Sequence, residues 1–103
     1  MNYDYLKKHT ETYEKYGELL EKINKILDEL EENREDFDKL VEYYYSEQFQ
    51  KDYDDSNEGK IDSSINQGIL TEDAIYDLMG DDYYLALRFL DLANKMIQSK
   101  LPA

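Results

Sequence analysis

The stretch LKKHTETYEKYGELLEKINKILDELEENREDFDKLVEYY, Leu6 to Tyr44, decides the fold. Taken in steps of three and four it runs Leu6, His9, Tyr13, Tyr16, Leu20, Ile23, Leu27, Leu30, Arg34, Phe37, Val41, Tyr44. That unbroken alternation is the period of a helix packing along one stripe. No Pro or Gly interrupts it except Gly17, at a cost of about 1 kcal/mol relative to Ala. At roughly 1.5 Å per residue the rod would be about 58 Å long. Leu19, Ile26 and Leu40 each precede a stripe position, so the apolar face is about three positions wide. That width suits a bundle rather than a two-stranded seam. Asn33 and Arg34 interrupt the face. They either fix register or oligomer state, or mark a bend, and both readings stand at this level.

The chain after Tyr44 reads as shorter pieces. Tyr43-Tyr44-Tyr45 ends the rod, and Ser46 is a suitable N-cap for a second helix with Glu47 in its first turn. Phe49 and Tyr53, four apart, can then face the core together. Residues 54–70 carry loop chemistry, long for a small domain, with Ile61, Ile65 and Ile69 spaced to pin it down. A single turn capped by Asp62 and followed by Gly68 fits the same stretch. Thr71 opens the last section, with Glu72 and Asp73 complementing the helix dipole and Ile75, Leu78 and Met79 as its apolar face. Gly80-Asp81-Asp82 reads as a break. From Tyr83 to Lys100 the apolar residues cover nearly half the circumference, which predicts burial on more than one side. No segment alternates with the period of a strand.

The expectation is one all-α domain over residues 1–103, with helices over 2–45, 47–57, 71–79 and 82–100. The final section folds back antiparallel along the first helix, as a helical hairpin or bundle. Because the returning section is shorter than the rod, the Tyr3, Tyr5, Tyr13 and Tyr16 end lacks cover within the chain. Pairing of two copies would bury it, so a homodimer is expected.

Composition bounds the chemistry. The 103 residues include 25 Asp and Glu against 12 Lys and Arg, a net charge of −13, with 11 Tyr, no Trp and no Cys. Without Cys there is no disulfide, thiolate metal site or thiol nucleophile. No apolar run approaches a membrane span, and the first residues lack a signal pattern. The expected setting is cytoplasmic. Residues 31–82 hold 17 acids against 4 basic residues, a balance of −13, while residues 1–30 sum to −2 and 83–103 to +2. Direct contact with nucleic-acid phosphates needs the opposite sign, so neither nucleic acid nor membrane is an expected partner. If the two ends of the chain pack together, the acids gather at the other end of the rod. A solvated surface and a docking face for a basic partner are both consistent with that.

Leu40-Val41-Glu42-Tyr43-Tyr44-Tyr45-Ser46, Phe49, Asp52-Tyr53, Gly59-Lys60 and Gly68-Ile69-Leu70-Thr71-Glu72-Asp73-Ala74-Ile75-Tyr76-Asp77-Leu78 follow one another in a particular order and spacing. In that pattern the chain resembles, over about residues 20–97, a small bacterial family catalogued as domain of unknown function 4298. The resemblance implies an all-helical protein and no activity. It also implies that residues 1–19 are an addition. The chain departs from the family's habit at Tyr45, where Gly is usual, at Phe49, where Trp is usual, and at Ile61-Asp62, where Leu-Pro is usual. Those changes bear on the turn into the second helix and on the stiffness of the loop.

Sites for chemistry are sparse. Asp54-x-Ser56-x-Glu58-Gly59-x-Ile61 matches the first eight places of a calcium loop, but Ile65 stands where the bidentate Glu belongs. His9 is the only histidine, and it has no placed partner for base catalysis. No Gly-rich phosphate loop exists. The expectation is therefore no catalytic residue, no metal and no cofactor. The chain reads as a non-catalytic protein–protein interaction module with an acidic face. Its candidate surface is Asp52, Asp54, Asp55, Glu58, Glu72, Asp73 and Tyr76, and its partner is a protein with a basic surface. The alternatives are an acidic mimic of nucleic acid that inhibits a DNA-binding protein, and a carboxylate-based metal-binding protein or hydrolase.

Overall fold

The computed structural model describes residues 2–99. The protein is all-α. Three helices follow one another, α1 Asp4–Tyr44, α2 Glu47–Asn57 and α3 Ala74–Gln98, and no strand occurs among the described residues. The described residues up to Asp38 form one compact unit and those from Lys39 onward a second.

The first unit is the greater part of α1. Asn2 accepts the Asp4 N–H through its side-chain oxygen at 2.9 Å, which satisfies one donor at the helix entrance. The helix runs without interruption through Gly17 and through Asn33 and Arg34. At the latter pair the polar side chains turn back onto the helix. Asn33 donates to the Glu29 carbonyl at 2.8 Å, and the Arg34 guanidinium lies 5.3 Å from the centroid of the Phe37 ring. No residue of α1 is buried.

The second unit holds the core. Phe49, 8% exposed, and Ile75, 1% exposed, are its buried residues. Leu40, Val41, Tyr43, Tyr44, Tyr53, Ile61, Leu70 and Met79 are half-buried. The α1–α2 junction follows from Ser46. Its backbone is extended at φ −90° and ψ 160°, and its Oγ accepts the Phe49 N–H. The same hydroxyl donates to the Tyr43 carbonyl at 2.6 Å. One side chain thus satisfies the end of one helix and the start of the next. Tyr45 makes this turn without a positive φ, since Gly59 alone adopts one among the described residues.

Helix α2 ends in a Schellman motif. Lys60 N–H donates to the Asp55 carbonyl at 2.9 Å and Gly59 N–H to Ser56 at 3.1 Å. Gly59 sits at φ 71°, a conformation that a residue with a Cβ adopts at a cost. Of the three isoleucines expected to pin the connection to α3, Ile61 is half-buried, and a polar residue takes the place of the other two. Ile65 and Ile69 are exposed, whereas the Gln67 side chain reaches four groups. Ser56 Oγ donates to Gln67 Oε1 at 2.5 Å. Gln67 Nε2 faces the carbonyls of Ile61, Asp62 and Ile65 at 3.3–3.5 Å. The expected turn at Asp62 is present, with its carboxylate accepting the Ser64 N–H at 2.8 Å.

Helix α3 departs from the sequence reading in three ways. It starts at Ala74, not Thr71, although the Thr71 hydroxyl does accept the Ala74 N–H at 3.0 Å. It continues through Gly80-Asp81-Asp82 without a break. One glycine costs about 1 kcal/mol in a helix interior, less than a helix end with its four unsatisfied carbonyls. Finally, Leu78 and every described residue from Tyr83 onward are exposed, so the apolar circumference is not buried within the chain. Lys100 and Pro102 lie outside the described residues.

Candidate functional site

Aromatic side chains at the α1–α2 junction build the most structured surface of the second unit. Tyr43 and Phe49 meet edge to face at 5.5 Å and 83°. Tyr44 meets Phe49 at 5.1 Å and 60° and Tyr45 at 5.0 Å and 73°. Phe49 and Tyr53, one turn apart on α2, stack at 6.3 Å and 29°. The reason is local. Three consecutive tyrosines at a helix end point in three directions, and the Ser46 turn brings α2 back against two of them. Ring pairs of this kind add about 0.5–1.5 kcal/mol beyond the area they bury.

Tyr44, Tyr45, Ser46, Phe49, Gln50, Tyr53 and Glu72 surround a recess of about 630 Å³. Glu72 is the only charged side chain among them. Its Oε1 accepts the Tyr53 hydroxyl at 3.3 Å. A second tyrosine–carboxylate pair joins α1 to α2 outside the lining of the recess. Tyr43 OH donates to Asp52 Oδ2 at 2.5 Å, and Gln48 Nε2 donates to the other oxygen of Asp52 at 2.8 Å. Burial, and then the hydrogen bond to Asp52 and its charge, push the Tyr43 phenol up to about 12. The Tyr43 hydroxyl, followed by the Gln48 amide, holds the Asp52 carboxyl below its ordinary value. The pair therefore stays a neutral donor and a charged acceptor across the neutral range.

The residues expected to form one surface divide. Glu72 lines the aromatic recess, and Asp52, half-buried, pairs with Tyr43 and Gln48 and is not among the lining residues. Tyr76 lines a different hollow of about 670 Å³, with Asp77, Met79, Gly80, Asp81, Tyr83 and Tyr84. Asp73 is exposed and lines neither hollow, its carbonyl accepting the Asp77 N–H at 2.7 Å. Asp54 accepts from Gln50 Nε2 at 3.1 Å, Glu58 pairs with Lys60 at 2.8 Å, and Asp55 is half-buried on α2.

The calcium-loop pattern is set aside by its backbone. Asp54 and Ser56 lie on α2, and Gly59 serves the helix end. No group of three or more His, Cys, Asp and Glu is arranged for a metal among the described residues. His9 is exposed on α1, 6.4 Å from the Tyr5 ring. No helix is long and apolar enough to cross a membrane among the described residues.

Sequence reasoning missed Tyr44, Tyr45, Gln50 and Gln67 as parts of this region. The signal for Tyr44 and Tyr45 was the pairing of a tyrosine run with a capping serine one residue later. Nothing local marks Gln67.

A family model, described as Domain of unknown function (DUF4298), matches residues 6–92. The chain belongs to that family. The match begins at residue 6, so most of the first nineteen residues are part of the family pattern rather than an addition to it. No curated protein and no solved structure matches the chain.

Proposed function

We propose that this member of a family whose description carries no activity is a non-catalytic protein–protein interaction module, and that its acidic face docks a partner protein with a basic surface. The observation that carries the reading is the charge of the second unit. Residues 39–99 hold 13 Asp and Glu against 5 Lys and Arg. Most of these acids, Asp54, Glu58, Asp73 and Asp77 among them, are exposed. A face of one sign speeds the encounter with a face of the other and suppresses wrong partners. The aromatic recess beside it supplies the large, rigid contact residues that anchor interfaces.

The test is capture by the immobilised intact chain from its native cell lysate, identified by mass spectrometry across a salt series. A variant with Asp54→Asn, Asp55→Asn and Glu58→Gln serves as comparison. Asp52 is left intact because it holds Tyr43. The reading requires basic partners whose capture falls steeply with salt and weakens in the variant. The same proteins returning with unchanged salt dependence would defeat it.

A second reading, pairing of two copies, is favoured by the exposed apolar side chains of both long helices. These include Leu20 and Ile23 on α1 and Leu85, Phe89, Leu92 and Met96 on α3. They lie in the stretches of low net charge, where two copies could meet without strong repulsion. Light scattering at micromolar concentration decides it, and the mass of a monomer would end this reading.

A further inference from the structure

The aromatic recess has a chemistry of its own. Four of its lining residues are aromatic, Tyr44, Tyr45, Phe49 and Tyr53, and of these Phe49 is itself buried in the core. Tyr44 and Tyr45 stand at 73° to each other, so two walls meet at a corner. Tyr45 is 69% exposed, and its ring is therefore presented to solvent rather than spent on the core. Among the described residues, the single charge at the rim is negative, and no Lys or Arg lines the recess. Glu72 makes one long hydrogen bond, from Tyr53, and its second oxygen carries none among the described residues. Gln50 uses an amide N–H toward Asp54, which leaves its amide oxygen available as an acceptor. A hollow with tyrosine rings in its lining, one carboxylate and one amide oxygen as acceptors, and no cationic group favours a cation over an anion.

We infer that this recess seats an arginine side chain of the partner protein, its guanidinium stacked on the tyrosine rings and paired with Glu72. The inference rests on the interaction-module reading and names its anchoring pocket. Arginine fits better than lysine for three reasons. Its planar group lies flat on a ring while its edge N–H groups point to acceptors in the same plane. A carboxylate takes two of those N–H groups side by side. Guanidinium is also more weakly hydrated than ammonium, so it loses less on leaving water. At about 630 Å³ the recess has room for the aliphatic stem as well as the head. The remaining acids of the second unit raise the local concentration of such a cation without touching it.

The experiment is a heteronuclear NMR titration of the intact 15N-labelled chain with capped Gly-Gly-Arg-Gly-Gly. The counterparts with lysine and with citrulline, the neutral isostere of arginine, are run beside it. Saturable shifts are expected at Tyr45, Gln50, Tyr53 and Glu72 with the arginine peptide, weaker ones with lysine, and none with citrulline. Glu72→Gln should weaken the arginine peptide by about fivefold or more, and Tyr45→Ala by about threefold. Both side chains are exposed, and the unperturbed remainder of the spectrum reports that the fold is kept. Asp77→Asn removes the same charge outside the recess and should change binding little. The assignment is overturned by any of three results: equal weakening in Glu72→Gln and Asp77→Asn, equal binding of lysine or citrulline, or shifts spread over the whole acidic surface. If basic partners are captured equally by wild type and Glu72→Gln, the interaction reading survives and the pocket assignment falls. If nothing basic is captured, the wider reading falls, and the peptide titration still decides the pocket.

Discussion

The hydroxyl of Tyr43 donates to Asp52 Oδ2 across 2.5 Å, and this bond ties the last turn of α1 to the middle of α2. The two residues are nine apart in sequence, and the Ser46 turn lies between them. The junction is thus closed twice, by the Ser46 cap and by a charge-assisted bond from Tyr43, itself one of the clustered rings.

Removing that bond has a readable consequence. Tyr43→Phe keeps the ring packing on Phe49 and deletes the donor, so it should lower Tm by a few degrees. In an alkaline absorbance titration of the 11 tyrosines, wild type should show one late phenol near 12, and Tyr43→Phe should lack it. Asp52→Asn should bring that phenol only part of the way back, because burial is the larger cause of its shift. The sign for stability follows. A phenol whose pKa is raised on folding contributes stability that is fully present below its ordinary value of 10.0, and the contribution is lost as pH climbs toward 12. A melting profile that stays flat between those two values would contradict the raised phenol.

How much of this was legible in the sequence depends on how far apart the cause and the effect lie. The long α1, the α2 bounds and the Ser46 cap were all readable, because each follows from residues within one or two turns of one another. The Gly80 break was misread. A glycine followed by two aspartates looks like a stop and a new cap, yet the helix on both sides is strong enough to run through. Gln67 was invisible, because its partners are a serine eleven residues back and carbonyls that only a folded loop brings together. The candidate surface was half legible. Glu72 was singled out for its place at a helix start, but its tyrosine partner comes from α2, nineteen residues away.

Gln67 should be the most sensitive residue of the connection. Gln67→Ala removes an acceptor for the Ser56 hydroxyl and a donor facing three carbonyls, and should destabilise the chain by about 1–2 kcal/mol. Hydrogen exchange should quicken at the C-terminal end of α2 and through residues 59–70, with α3 beyond Gly80 unchanged. Gln67→Glu should do worse than Ala, since it points negative charge at carbonyl oxygens. If Gln67→Glu exchanges like wild type, the loop is held by something else.

Two glycines should respond in opposite directions to alanine. Gly59 has φ 71° at the end of α2, so Gly59→Ala should cost about 1 kcal/mol although nothing crowds its Cβ. Gly80 lies inside α3 with open space where a Cβ would stand, and Gly80→Ala should stabilise by up to about 1 kcal/mol. The second result also tests the continuity of α3. Were Gly80-Asp81-Asp82 a real break, alanine there would bring no gain in urea-midpoint stability.

Charge sets the last expectation. Residues 31–82 carry the whole excess of −13, and like charges concentrated in that half of the chain oppose the compact state. Salt shortens the reach of that repulsion, from a Debye length of about 30 Å at 0.01 M to about 10 Å at 0.1 M. Calorimetric Tm should therefore rise between these concentrations at pH 7, by roughly 4–8 °C if about 1 kcal/mol is recovered. The gain should shrink on acidification as the net charge falls toward the isoelectric point near 4.3. Two carboxylates then act against further acidification. Asp52 is held below its ordinary value by Tyr43 and Gln48, and Asp62 by the backbone and hydroxyl of Ser64. A carboxylate whose pKa is lowered on folding contributes stability above its ordinary value of 3.8 and loses it as pH falls through its own lower one. Stability at low salt should consequently rise as pH drops from 7 toward 5, and fall again below about 3.8. Asp52→Asn should remove part of that acid-side fall while leaving the salt effect at pH 7 in place. A Tm that does not respond to salt at pH 7 would mean that the acids are too widely spread for their repulsion to matter.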